Sequence, residues 1–341
     1  MLRKLSLTGA LCVTLAAQAA YGSPLTTEQQ ARLDAAAKAV VGTLADNCPV
    51  AGPGDQAAFD TCRAALHASG LASHFSGIML WGGGPSGTPI KDLKLTQFRP
   101  DLWVDLYLPL YMFTGKYETR YVETEGKYMV AVQALFRNHL DAGQFPYPFW
   151  HDPGKWDNWE TTNQIEFFLD PERAKIVTAL RSPRGERADV AYERVDPRPF
   201  DGQWLWQDEQ GRLQPEVALF SGIYHADNPY LPELETKFRD LANDLRRSTC
   251  MECHVPDNPN GMRRLVLLQT PAHAAAEIER VMRVVREGKM PVEDWGEERP
   301  LDPAIKATLL DHGTAFEQVV EQAAQWERSL AEGRAPATTT R

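Results

Sequence analysis

The stretch Cys250-Met251-Glu252-Cys253-His254 constrains this chain more than any other. Cysteine and histidine are scarce, with 5 and 8 copies in 341 residues, so their meeting at this spacing is not background. C-x-x-C-H is the attachment sequence of c-type haem. Two thiols three residues apart can reach the two vinyl groups of one porphyrin and form thioethers. The next residue, His254, then lies under the iron and can ligate it through its imidazole. Two other readings use the same residues. A redox dithiol would want a thioredoxin-like βαβ context. Half a zinc site would want a second C-x-x-C or a close pair of histidines. The sequence offers neither, so the expectation is one covalent haem c, attached through Cys250 and Cys253 and ligated by His254.

The flanking sequence reads as helices. One runs from about Pro232 to Arg247 and delivers Cys250 at its C-terminal end. Thr270-Pro271 opens the next by cap and first-turn proline, with Ile278, Val281, Met282 and Val285 along its apolar face, and Gly288 ends it. Lys289-Met290-Pro291 leaves it as an extended segment. A final helix, about 303–330, presents Ile305, Leu309, Phe316, Val319, Val320 and Ala323.

Three segments resemble class I c-type cytochromes: Ser248 to His254, Arg286 to Pro291 with its Gly288-Lys289-Met290-Pro291 ending, and the helix from about Pro303. The resemblance covers about residues 236–330. It implies an all-α haem domain, His254 as the proximal iron ligand, Met290 as the sixth ligand, and attachment on the periplasmic side of a bacterial membrane. Competing residues for the sixth position are His273, in the first turn of its helix; Met282, which core packing also explains; and Met262, only eight residues past His254. Trp295 could donate an indole N–H to a haem propionate, and Arg263 or Arg264 could pair with one.

The chain start reads as a secretory signal, residues 1–22. Arg3 and Lys4 precede the apolar run Leu5–Ala17, which is short for a membrane span. Ala17-Gln18-Ala19 fits a cleavage site, with Ala20-Tyr21-Gly22 as its rival and an uncleaved anchor as the other reading. Cys12 falls inside the leader. Export makes Cys48 and Cys62 a candidate disulfide; two buried thiols are the alternative. Net charge is −10 at pH 7, and loss of Arg3 and Lys4 leaves the remainder more acidic. An acidic surface argues against nucleic acid, which wants a basic stripe, and suits a basic redox partner protein. After signal cleavage no integral membrane span is expected.

Residues 23–235 read as an α+β domain with an antiparallel sheet. Helices are expected at 25–45, capped by Thr26 or Thr27, at about 55–68, and from Glu123 to about Leu140. Ile78 to Trp81 reads as a short strand. Gly82 to Gly87 reads as a turn, because it lacks the lysine and the following helix of a phosphate loop. Hairpins are expected at 165–180 and at 203–220, with Arg181–Arg187 a polar loop between them. The proline-broken aromatic stretch Phe145 to Trp159 could line a ligand pocket with His151 and Asp152 as its polar groups, or could pack its rings on the sheet. An all-α c-type cytochrome domain, residues 236–331, is expected to follow, and 332–341 reads as a disordered tail.

The leading functional expectation is one-electron transfer through a haem whose iron is held by His254 and Met290. A haem-based sensor or ligand-binding protein is the alternative, since some 200 residues precede the motif. A haem enzyme is the third reading, and the chain shows neither a Ser-His-Asp order nor H-E-x-x-H.

Overall fold

The computed structural model describes residues 24–331 apart from 85–87, 94, 142–143, 146–152, 198–204, 208–209, 212, 216–219, 221–223, 226, 255–270 and 293–295. The expected signal (1–22), the tail, His151, Asp152, Met262, Arg263, Arg264 and Trp295 lie outside the described residues.

Two helices open the fold. In α1 (Thr27–Asn47), Thr26 and Gln29 form a reciprocal capping box, and Leu33, Ala37, Val40, Val41 and Leu44 turn inward at helical spacing. Asp55 caps α2 (Gln56–Ala68) through the Ala58 N–H. Cys48, at the end of α1, is bonded to Cys62 in the middle of α2. Closing a loop of this length stabilises the fold by about 3 kcal/mol in the chain-entropy account.

Six strands form one sheet in the order β2-β1-β6-β5-β4-β3. They are β1 (Phe75–Gly83), β2 (Thr96–Phe98), β3 (Tyr111–Val122), β4 (Lys127–Phe136), β5 (Gln164–Asp170) and β6 (Lys175–Ser182). Strands β3 to β6 are an antiparallel meander. The expectation of an antiparallel sheet is wrong at one joint. There β1 runs parallel to β6, with Gly83 opposite Arg181, so the sheet is mixed. The strand pattern of β1 carries no signal for which edge it will join, and it joins the far end of the meander.

Between β2 and β3 lies α3 (Pro100–Leu106), and α4 (Pro153–Glu160) precedes β5. Helices α1 to α4 cover one face of the sheet. Tyr128, Val130, Val132, Ala134 and Phe136 of β4 point into that core, while Met129, Ala131 and Leu135 enter smaller clusters on the other face, built with residues such as Ile90, Leu93, Met112 and Ala188. This corrects the helix expected over 123–140. A strand buried on both faces is an unbroken apolar run, which periodicity cannot separate from a buried helix. The aromatic stretch is also more regular than expected. Phe145, Trp156 and Trp159 are buried in the main core, the last two on α4. A separate two-stranded ribbon pairs β7 (Leu205–Gln207) with β8 (Leu213–Pro215).

Three helices follow: α5 (Leu231–Arg247), α6 (Pro271–Arg286) and α7 (Pro303–Ala331). They share a core of Leu234, Phe238, Leu241, Ile278, Met282, Leu309 and Phe316 among others. They do not make the separate all-α cytochrome domain that was expected. One side of α6 is docked on the α/β layer. Arg99 Nη1 donates to the Ala276 carbonyl at 2.9 Å, and Arg280 Nη2 donates to Gln97 Oε1 at 3.0 Å. The cause is that α6 buries two sides: Ile278, Met282 and Val285 face the helices, while His273 faces Phe98 and Tyr107. The architecture is therefore mixed α/β throughout. Among the described residues no helix is long and apolar enough to cross a membrane.

Candidate functional site

The C-x-x-C-H turn hangs from the C-terminal end of α5. The Ser248 N–H donates to the Asp244 carbonyl at 2.9 Å. Ser248 Oγ lies 2.7 Å from the same carbonyl and 3.2 Å from Cys250 Sγ. Thr249 then takes a left-handed backbone, φ +62°, which stops the helix as glycine more often does at a cost of the order of 1 kcal/mol for a side-chain-bearing residue. Residues Cys250–Glu252 form one 3-10 turn, closed by the Cys253 N–H on the Cys250 carbonyl at 3.3 Å, and the His254 N–H reaches that carbonyl at 3.0 Å. In a 3-10 turn residues i and i+3 are neighbours, and the Cys250 and Cys253 thiols are close enough to interact electrostatically. Cys250 and Cys253 are free and partly exposed.

The surroundings of Cys250 bear on the redox-dithiol reading. Burial pushes the Cys250 thiol above its usual range, against the opposing contact with Ser248. Reactive dithiols sit at helix N-termini or beside cations, where the thiolate is favoured. Cys250 follows a helix C-terminus, the negative end of the dipole, and the Arg299 guanidinium nearby only partly offsets the burial. Among the described residues no group of three or more His, Cys, Asp or Glu side chains is placed to hold a metal ion, so these residues do not build the four-ligand set of a structural zinc site. The donor chemistry is two thiols, an imidazole and a thioether, which fits a covalent haem c and not a hard cation.

Asp244, one turn before the motif, is buried, and its carboxyl is held above the usual range by burial although His312 works the other way. Its Oδ2 lies 2.7 Å from His312 Nδ1 of α7, and its Oδ1 3.7 Å from Arg247 Nη1. The His312 contact pins the end of α5 to α7, and Arg247 pairs with Asp244 within α5.

Met290 is held by a defined helix ending. The Gly288 N–H donates to the Val285 carbonyl at 3.2 Å and the Lys289 N–H to the Val284 carbonyl at 2.9 Å, with Gly288 left-handed at φ +72°. This is the Schellman arrangement. Half-buried Met290 follows at once. The Pro291 carbonyl accepts the Arg299 N–H at 2.9 Å. The guanidinium of Arg299 bonds Thr249 Oγ1 and stands 3.8 Å from Glu252 Oε2. One arginine therefore ties the segment carrying Met290 to the turn carrying Cys250. No sequence signal marks Arg299 or the Asp244–His312 pair, because their partners are about fifty and seventy residues away along the chain and only the fold brings them together.

Two of the three rival ligands, Met282 and His273, are occupied elsewhere, and the third, Met262, lies outside the described residues. Met282 is buried against α7, its Sδ filling the space where a Cβ on Gly313 would stand. His273 is neither exposed nor a cap. It is buried, stacked on Tyr107 with ring centroids 5.9 Å apart, edge-on to Phe98 at 5.0 Å, and its Nε2 lies 3.2 Å from the Tyr107 hydroxyl.

Burial drives the His273 pKa down to about 3, whereas the unfolded chain protonates near 6.5. The unfolded state then binds the proton first. Stability is full above about pH 6.5 and falls as pH drops toward about 3, by several kcal/mol in order of magnitude. Urea midpoints of wild type and His273→Gln between pH 7 and pH 4 check this. The variant is expected to show a flatter acid arm, and identical arms would refute it.

No protein-family model matches this chain, and no curated protein or solved structure matches it either.

Proposed function

We propose that the chain is an exported mono-haem c-type protein that passes single electrons to and from a redox partner protein in the periplasm. The observation that supports the reading is the C-x-x-C-H turn itself, whose two cysteines are outside any disulfide and stand three positions apart across a single 3-10 turn at the end of α5. When bound, the haem supplies a one-electron couple at its iron.

The chain's own residues have separable tasks. Cys250 and Cys253 would hold the group covalently, so that it stays bound in both redox states. His254 would offer an imidazole to the iron. Met290 would offer a soft thioether as a second protein donor. Arg299 positions the Met290 segment against the motif turn. Asp244 and His312 hold the end of α5 rigid, and a donor set that changes little between oxidation states favours fast transfer. The Leu5–Ala17 run supplies the export signal in this reading.

A sensor or ligand-binding protein is the second reading. It is favoured by one contact: α6, the helix just before Met290, is docked through His273 on Tyr107 of the α/β layer. Visible spectra of the haem-loaded protein, oxidised and reduced, with and without carbon monoxide, test the choice. An electron carrier is expected to cycle reversibly with a reduced spectrum that carbon monoxide leaves unchanged. Ready carbon monoxide binding by the wild type would move the assignment to the sensor reading.

A further inference from the structure

Arg181 belongs to β6, not to the polar loop that its sequence neighbours suggest. Its guanidinium carbon stands 5.0 Å from the centroid of the Trp159 ring and 5.9 Å from that of Trp81. Tyr107 and Tyr111 pack on Trp159 at 5.8 and 6.0 Å and close the box. Nε and Nη1 of Arg181 are buried and make no hydrogen bond among the described residues. The groups that face it electrostatically are the phenols of Tyr107 and Tyr111, and burial pushes its pKa down. A desolvated cation without a counterion is unfavourable, and aromatic faces offset only part of that.

The guanidinium opens on a cavity of about 360 Å³ lined by Gly83, Gly84, Asn158, Thr161, Arg181 and Pro183. Gly83 keeps the opening clear, since a Cβ there would stand 3.2 Å from Nη2. The volume lies in the range of small-molecule sites, which are largely apolar with a few directed polar groups.

We propose that this cavity binds a small monocarboxylate, its carboxylate seated on the Arg181 guanidinium. The charge argues for a monoanion. Arg181 is the one cation among the described lining residues, so a single negative charge neutralises it, whereas a dianionic phosphate would leave a negative charge in a desolvated box. Guanidinium donors match a carboxylate in plane and charge. The site is separate from the C-x-x-C-H turn and stands whether or not haem is bound there.

The test is calorimetric titration of the full-length protein with acetate, pyruvate and benzoate, with inorganic phosphate and sodium chloride at equal ionic strength beside them. At least one carboxylate is expected to bind one-to-one and raise the thermal midpoint, with phosphate giving no saturable heat. Arg181→Met is expected to weaken that binding by about tenfold or more, while its ligand-free midpoint is no lower than wild type because a buried unpaired charge has gone. Should Arg181→Met not fold, Gly83→Ala is expected to weaken binding by narrowing the opening. Three carboxylates that give no more heat than chloride, phosphate binding tighter than any of them, or unchanged binding in the folded variant would each overturn the proposal.

Discussion

Replacing Cys250 and Cys253 together with alanine is expected to take covalently held haem from one per chain to none, in protein made under haem-replete periplasmic expression. No other pair of thiols can substitute. Cys48 and Cys62 are bonded to each other across α1 and α2, and Cys12 falls in the proposed leader. Each single variant keeps one thiol of the turn, so a weaker, single-thioether attachment is the most it can retain. The fold should survive. Cys250 only borders the core of the three C-terminal helices, and alanine at a half-buried cysteine removes one sulfur. Haem that resists denaturation in the double variant would refute the attachment site.

Changing Met290 to alanine is expected to remove the near-infrared sulfur-to-iron band of the ferric protein and to open the ferrous protein to carbon monoxide. The covalent haem stays, because attachment rests on different residues. The geometry favours Met290 over its rivals on three grounds. Gly288 ends α6 in a Schellman turn directly before it, Arg299 ties its segment to Thr249 and Glu252, and Met282 and His273 are both packed away. His273→Ala should therefore leave the band intact. A band that survives in Met290→Ala and disappears on changing another residue would show the assignment to be wrong.

The local rules written in the sequence were easy to read. The Thr26 cap of α1, the glycine ending of α6, the hairpin of β5 and β6 and the C-x-x-C-H turn each depend on residues within a few positions of one another. Features that depend on distant partners were not readable. The parallel pairing of β1 with β6 joins strands about a hundred residues apart, and no pattern in either names its neighbour. Strand β4 reads as a helix because both of its faces are buried, which erases the alternation. The C-terminal helices look self-sufficient until α6 is seen to bury His273 against Tyr107. Arg181 sits in a run of charges that reads as solvated loop, and only the packing of Trp81 and Trp159 around it reveals a binding cavity. The C-x-x-C-H spacing at the end of a helix was legible, whereas the left-handed Thr249 and the tie from Arg299 to Thr249 were not.

The central claim is a haem bonded to Cys250 and Cys253, and the mass of the denatured wild-type chain measures it most directly. Purified from haem-replete periplasmic expression and unfolded in acid, the mature chain is expected to carry the added mass of one haem, localised by proteolysis to the peptide containing Cys250 to His254. A chain of unmodified mass, or haem released on unfolding, would contradict it.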